Sequence, residues 1–346
     1  MEEMTAENGN DELSIGFLSS AHVHAEAYAE IVIAESDIEL VGIADDVVER
    51  GQDFAEQHET QYRDRDDLLE ATDAVIVCSE NTAHADWIES AAAANADVLC
   101  EKPLAPTASE ATEIVETCDQ AGIMLGVAMP LRFSEPALEA KNACETGQIG
   151  SIEYLAGTNR GQMPGGWFAD PDASGGGAAI DHTVHIVDLV HWLTGERVAE
   201  VYAELGTRFH DIAAEDVNVL SMKLTNGTVF TLDGSWSRPD EWDFWGDATI
   251  DIVGSEGTID VDCFDQTYKL TRESGDDSGI SSVYWGSDPN AGLIRDFVEE
   301  IRSDRTPEIT GKEGVDAVAV VDAVYESAER GAPVSVEYPD LESEHA

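Results

Sequence analysis

LSIGFLSSAHVHAEAYAEIVIAESDIELVGIAD, residues 13–45, decides the fold. An apolar run, Leu13–Leu18, leads into an amphipathic stretch from about His22 to Glu35, and a second apolar run, Ile38–Ala44, follows. Continuous apolar strands that alternate with helices belong to a parallel sheet covered on both faces. Further strands are expected at Ala74–Cys78, Asp97–Cys100 and Ile123–Ala128, and further helices near Val47–His58, Ala83–Ala94 and Ser109–Ala121. Residues 12–130 therefore read as a doubly wound α/β domain of Rossmann type, after an acidic tail at 1–11.

The pattern changes after Pro130. A helix (Pro136–Thr146), a strand (Ile152–Thr158), a Gly-rich loop (Gly161–Gly177) and a helix (Ala178–Leu193) lead into a run of strands. These are Val198–Gly206, Val217–Leu224, Val229–Ser235, Ala248–Val253, Thr258–Asp262 and Thr267–Thr271, and Asn226-Gly227 supplies a hairpin turn. Helices near Ala291–Ser303 and Gly314–Arg330 close residues 131–338, and 339–346 form a tail. This half reads as α+β with a large, mostly antiparallel sheet. Helices can cover one face of it, so a second subunit is expected on the other, giving a homodimer or homotetramer.

Of the 346 residues, 72 are Asp or Glu and 18 are Lys or Arg, a formal net charge of −54. The acids are spread along the chain, which fits a surface kept hydrated in concentrated salt, where the screening length falls to ~3 Å at 1 M. An acidic patch for a basic partner is the alternative. Nucleic acid is excluded as a partner, since phosphates require Lys and Arg. Five cysteines without a C-x-x-C pair argue against a zinc cluster or disulfide framework and fit a reducing cytosol. No apolar run approaches the ~20 residues of a membrane span, and the polar start is unlike a signal peptide, so a cytoplasmic location is expected.

At the end of the first strand stand Gly16, Phe17, Leu18, Ser19, Ser20 and Ala21. Against G-x-G-x-x-G, Gly16 matches, Ala21 meets the demand for close helix packing, and Leu18 departs where glycine would let a pyrophosphate approach. Ser19 and Ser20 offer hydroxyl and N–H donors at a helix N-terminus in its place. The second strand ends at Asp45, whose carboxylate would accept hydrogen bonds from an adenosine ribose and repel a 2′-phosphate. NAD is thus favoured, with NADP as the other choice. A plain turn role for Asp45, or a ribose role for Asp46, are the alternatives.

Glu101-Lys102-Pro103 follows directly on an apolar strand, at the sheet edge where open α/β folds bind ligands. Lys102 there would stabilise a developing alkoxide, unless it only pairs with Glu101. On the helix after the Gly-rich loop, Asp181, His185 and Asp188 share one face. A histidine that titrates near neutrality suits proton exchange with a hydroxyl, and a carboxylate one turn away would fix its tautomer. Incidental Asp and His residues are the bland alternative. A metal site with His182 is disfavoured, because no Cys or distant ligand accompanies it, and no metal is expected. Arg160, Trp167 and Phe168 near the loop are candidates for a substrate pocket, or else core residues.

Over residues 13–337 the chain resembles the Gfo/Idh/MocA family of glucose–fructose oxidoreductases and inositol dehydrogenases. The resemblance rests on Glu101-Lys102-Pro103 followed by a Gly-rich loop and Asp181…His185, similar to D-x-G-x-H. It also rests on His24, and on Asn81 with His84, where the family has T-P-N-x-x-H. It implies a catalytic triad of Lys102, Asp181 and His185. It also implies that Asn81, Glu101 and Lys102, in a set that includes Ser79 and His84, lie around the cofactor. Departures are Thr183 for the family glycine, Cys78-Ser79-Glu80 for the T-P segment, and Leu18. The implied activity is hydride transfer between a nicotinamide cofactor and a secondary alcohol of a sugar, cyclitol or sugar acid. His182, Asp181 and His185 would then also touch substrate, with Arg160 and Trp167. A cofactor-binding regulator without turnover is the rival reading.

Overall fold

The computed structural model describes residues 12–242, 244–272, 279–284 and 286–341. The expected tail at 1–11 lies outside these, as do residues 342–346.

Five parallel strands form the first sheet: β1 (Leu13–Leu18), β2 (Ile38–Ala44), β3 (Ala74–Val77), β4 (Asp97–Cys100) and β5 (Leu125–Val127), in the order β2-β1-β3-β4-β5. All four residues of β3 are buried, as a strand covered on both faces requires. The helices are α1 (Ala25–Ala34), α2 (Val48–Gln57), α3 (Arg65–Leu69), α4 (His84–Ala94) and α5 (Ala108–Ala121). Thr107 caps the start of α5 by accepting from Glu110 N, and Gly122 ends it in the left-handed conformation (φ 71°). Strand order reverses between β1 and β3, which opens a crevice at their C-terminal ends.

The second sheet has nine strands in the order β13-β12-β11-β10-β6-β9-β8-β7-β14. They are β6 (Ile152–Thr158), β7 (Val198–Gly206), β8 (Val217–Leu224), β9 (Val229–Asp233), β10 (Thr249–Gly254), β11 (Gly257–Asp262), β12 (Thr267–Arg272), β13 (Gly279–Tyr284) and β14 (Val334–Ser335). Every pairing is antiparallel except β6 with β9. The chain is thus an α/β fold with a second, mostly antiparallel α+β half. Gly227 takes the hairpin between β8 and β9 at φ 93°.

Helices α6 (Glu135–Glu145), α8 (Ala178–Thr194) and α10 (Gly311–Arg330) bury one face of this sheet, with Val187, Val190, Phe230 and Val324 in a shared core. A short α7 (Pro171–Ser174) precedes α8, and α9 (Pro289–Ser303) follows the sheet. The closing helices also reach back. Leu293, Ile294 and Phe297 of α9 and Val315 and Val321 of α10 pack into the cores of the first sheet. Along β8 buried residues alternate with exposed ones, so the far face of the sheet carries side chains such as Val219 and Val229 in the open.

Sequence reasoning overlooks α3, α7, β13 and β14. Each is too short or too polar to show a period of 3.6 or 2, and tertiary contacts decide such segments.

Candidate active site

Packing fixes where α8 begins. A Cβ on Gly176 would collide with the Tyr325 hydroxyl, and one on Gly177 with the backbone of Glu215. The Glu215 carboxylate then accepts from Gly177 N (2.9 Å), Ala179 N (3.0 Å) and the Tyr325 hydroxyl (2.9 Å). An anion at a helix N-terminus satisfies orphan N–H groups and the dipole together. Further along, Asp188 turns from the row expected with Asp181 and His185 and meets Arg132, with N–O distances of 2.8 and 2.5 Å, both side chains buried. The helix is held at its start by Glu215 and past its midpoint by Arg132, and Asp181, His182 and His185 lie between the two anchors.

Lys102, at the C-terminal edge of the first sheet, and Asp181, on α8, meet at 2.5 Å between Nζ and Oδ1. The other oxygen, Oδ2, accepts from Trp236 Nε1 at 3.1 Å and lies 3.2 Å from His182 Nε2. Burial pushes the Asp181 carboxyl up, but the Lys102 ammonium and His182 pull it well below the usual carboxylate range. Asp181 is therefore a committed anion whose partner is Lys102, and no hydrogen bond joins it to His185 among the described residues. The expected tautomer-fixing role of a carboxylate one turn away does not match this arrangement, because both oxygens are already engaged.

His185 is buried, its Nδ1 has no hydrogen-bond partner, and it lines the same cavity as Lys102, Asp181 and His182. Burial first, and then the Lys102 charge, push its pKa well below 6.5, so the ring is neutral at pH 7 and free to take a proton. His182 donates from Nδ1 to Gly234 O at 3.1 Å, and burial lowers its pKa too.

On the other side, His24 Nδ1 donates to Glu101 Oε1 at 2.9 Å, and His22 Nδ1, 3.6 Å from the same oxygen, accepts from His24 N. Burial pushes the Glu101 carboxyl up, while His22, His24 and Lys102 together carry it lower than an ordinary glutamate. These three residues bring donor atoms within 4.8 Å of one another. Two hydrogen bonds, His24 Nδ1 to Glu101 and His24 N to His22 Nδ1, already tie the three together, while His22 Nε2 stays buried without a partner.

Burial lowers the pKa of His22 to about 3, and those of His84, His182 and His185 also fall. The sign follows directly: below about pH 6.5 the unfolded chain binds protons that the native chain refuses. Stability should therefore decline as pH drops from 7 to 5, measured as a falling midpoint of thermal unfolding. A midpoint flat or rising over that range would contradict the buried neutral rings.

The cofactor edge differs in detail from expectation. Gly16 lies within β1, where a Cβ would crowd Thr72 and Leu68, so packing demands this glycine and the turn does not. Leu18 is likewise a buried strand residue. The turn comes one residue later, with Ser19 at φ 68°. Asp45 is buried at the end of β2 and accepts from Ser19 Oγ (3.1 Å), Ser20 N (2.9 Å), Val47 N (2.8 Å) and Arg50 (2.8 Å). Arg50 also donates to Glu80 Oε1 at 3.1 Å. Arg50 and Glu80 escape sequence reasoning, which looks only at the strand end. Asp46 pairs with Arg65 at the surface.

Ala21 O accepts from Trp167 Nε1 at 3.0 Å. Ser79 is buried and donates to Glu80 O. Asn81 donates to Ser174 O at 2.8 Å while its Oδ1 stays buried and unpartnered, and His84 Nδ1 donates to Leu104 O at 3.2 Å. Asn81 and His84 thus tie the end of β3 to the Gly-rich loop and to the segment after Lys102.

The cavity, about 610 Å³, opens between the two sheets. Two substrate candidates fall outside its lining. Arg160 is drawn away by Asp247 at 3.0 Å, and Trp167 stacks on Phe168 (centroids 3.9 Å apart) over the turn at Ala21. Phe168 does line the cavity, as do Asn159, Trp245 and Phe264, which sequence reasoning misses because they carry no motif.

Two family models match the chain. The oxidoreductase family with an NAD-binding Rossmann fold covers residues 15–129, and the GFO/IDH/MocA C-terminal domain covers residues 137–260. The myo-inositol 2-dehydrogenase of Thermotoga maritima is 27% identical over 335 residues, spanning 93% of this chain and 97% of its own. An oxidoreductase domain protein from Kribbella flavida superposes with a TM-score of 0.85 at 22% identity, over 94% of this chain and 99% of that one. A levoglucosan dehydrogenase solved with NADH and L-sorbose gives a TM-score of 0.83 at 22% identity, over 94% and 99%. The chain belongs to the GFO/IDH/MocA family of NAD-binding oxidoreductases.

Proposed function

We propose that the chain is a dehydrogenase that exchanges a hydride between NAD and a secondary alcohol of a sugar or polyol. One observation supports this above all others: Lys102 from the first sheet and Asp181 from α8 meet at 2.5 Å, in a cavity that His185 also lines. The cofactor fits the edge of the first sheet. The crevice between β1 and β3 presents the Ser19–Ala21 turn and Asp45, and Asn81 Oδ1 and His22 Nε2 are buried there without partners. When bound, NAD supplies the hydride acceptor.

The remaining work falls to the chain. His185, neutral at pH 7, takes the hydroxyl proton. Lys102, held by Asp181, hydrogen-bonds the reacting oxygen and stabilises its developing charge. Asp181 acts through Lys102, and Trp236 and His182 hold it in place. The Glu101 carboxylate, fixed by His24, favours a cationic ring beside it. At the ribose edge, Asp45 and Glu80 outnumber Arg50, and that balance disfavours a 2′-phosphate and selects NAD over NADP.

The relatives' names support the substrate class: the Thermotoga maritima relative is named for myo-inositol, and the levoglucosan dehydrogenase structure holds L-sorbose. Absorbance at 340 nm, with NAD or NADP and a panel of sugars, cyclitols and sugar acids in molar KCl, tests the proposal. Turnover with NAD on at least one member is expected. Silence across the panel, with binding of NAD intact, would instead point to a regulator.

Three further expectations belong to this reading. No described helix is long and apolar enough to cross a membrane, and with the cysteine pattern this supports a cytoplasmic enzyme. The spread acidic surface supports a salt-adapted one, whose melting point should rise with KCl. The open face of the second sheet, with Tyr154, Val219 and Val229 exposed, is proposed as the contact of a homodimer or homotetramer. Light scattering should then give a mass two or four times that of the chain.

A further inference from the structure

The lining of the cavity is divided in character. Lys102, Asp181 and His185 gather at its floor, while one wall is aromatic. Trp245 lies 5.9 Å from the His182 ring and 5.0 Å from Phe264, and Phe264 lies 5.5 Å from Phe244, centroid to centroid. The series runs from the floor outward, ending in Trp245 and Phe244, which are 39% and 50% exposed. Large exposed rings grouped at a cavity mouth mark a contact surface.

Charge narrows what that surface receives. Lys102 is the one cation among the described lining residues, and its charge is matched by Asp181. The nearby arginines, Arg160 and Arg238, both pair with Asp247. Among the described residues around the cavity no free guanidinium or ammonium is left for a carboxylate or phosphate on the substrate, and the chain as a whole repels anions. Asn159 adds a polar anchor. Its Nδ2 donates to Asp247 O at 2.9 Å, which fixes the amide, and its buried Oδ1 has no partner. The open valence is an acceptor, suited to a hydroxyl of a ligand. The cavity, about 610 Å³, also receives the nicotinamide end of the cofactor beside His22 and His24, so the place for a second ring is set by the aromatic wall and not by volume.

We infer that the substrate is a neutral glycoside, with the oxidised ring at Lys102 and His185 and a second ring resting on Trp245 and Phe264. This rests on the dehydrogenase proposal above and specifies its substrate class. A sugar ring and an aryl group both present a face to an aromatic wall, and the experiment separates them.

The test uses the full chain with NAD in molar KCl. It compares kcat/KM for a free sugar that is turned over, its phenyl glycoside, a disaccharide carrying the same ring at its non-reducing end, and the matching uronic acid. At least one glycoside should exceed the free sugar tenfold or more, and the uronic acid should fall tenfold or more below it. The better of the two glycosides identifies the second ring. In Trp245→Ala the ratio of glycoside to free sugar should fall to near one, whereas Trp245→Tyr, which keeps a ring, should retain it. A free sugar equal to or better than both glycosides, a preferred uronic acid, or a ratio unchanged in Trp245→Ala would overturn the inference. Turnover of free sugars without glycoside preference removes this inference alone. Absence of turnover on every compound removes the dehydrogenase proposal with it.

Discussion

His185→Leu should lower kcat by about 10²–10⁴ while the far-ultraviolet circular dichroism spectrum stays that of the wild type. Among the described residues the ring has no hydrogen-bond partner, its Nδ1 is buried, and leucine has a similar volume. On the proposed role, what is lost is the neutral base, whose pKa burial and the Lys102 charge lower. Lys102→Met should cost activity on the same scale, but for two separable reasons. It removes the donor proposed to steady the alkoxide, and it strands Asp181 as a buried charge, an imbalance worth about 3–5 kcal/mol. The double variant Lys102→Met/Asp181→Asn removes both charges. It should regain most of the lost stability and none of the activity.

The largest pure stability effect is expected at Asp188, past the midpoint of α8. Asp188→Ala leaves Arg132 buried without its carboxylate, and unfolding experiments in denaturant should show a loss of about 3–5 kcal/mol. Burial raises the Asp188 carboxyl, with Arg132 opposing it, so the pair is held by geometry against its own desolvation. A loss below about 1 kcal/mol would mean that water reaches the guanidinium. Because Arg132 also donates to Glu308 O, the pair joins α8 to the segment before α10, and its loss should loosen the cavity floor.

Much of this arrangement can be read along the chain. Strands β1, β2 and β4 lie at the expected residues, because each is a continuous apolar run with turn formers at its ends. Lys102, Asp181 and His185 share one cavity, as their motifs imply. What the sequence conceals is how polar groups are distributed among partners. Asp181 could have served His185, but the fold places Lys102 and Trp236 against its two oxygens. Gly16 has the look of a phosphate-loop glycine, yet Leu68 and Thr72 from the α3 region fill the space beside it, and α3 itself is too short to announce its presence. Arg160 is drawn off by Asp247, which lies 87 residues further on. The aromatic wall joins Phe244, Trp245 and Phe264 from two separate connections, and no local pattern predicts that meeting.

The proposed chemistry needs an imidazole and an amine from opposite halves of the chain at one alcohol oxygen. The most direct measurement is the rate of NADH formation, on the best substrate of the panel, by wild type, His185→Leu and Lys102→Met/Asp181→Asn at equal folded concentrations. A drop of at least 10² in both variants is predicted. Rates within about threefold of wild type in either variant would contradict it.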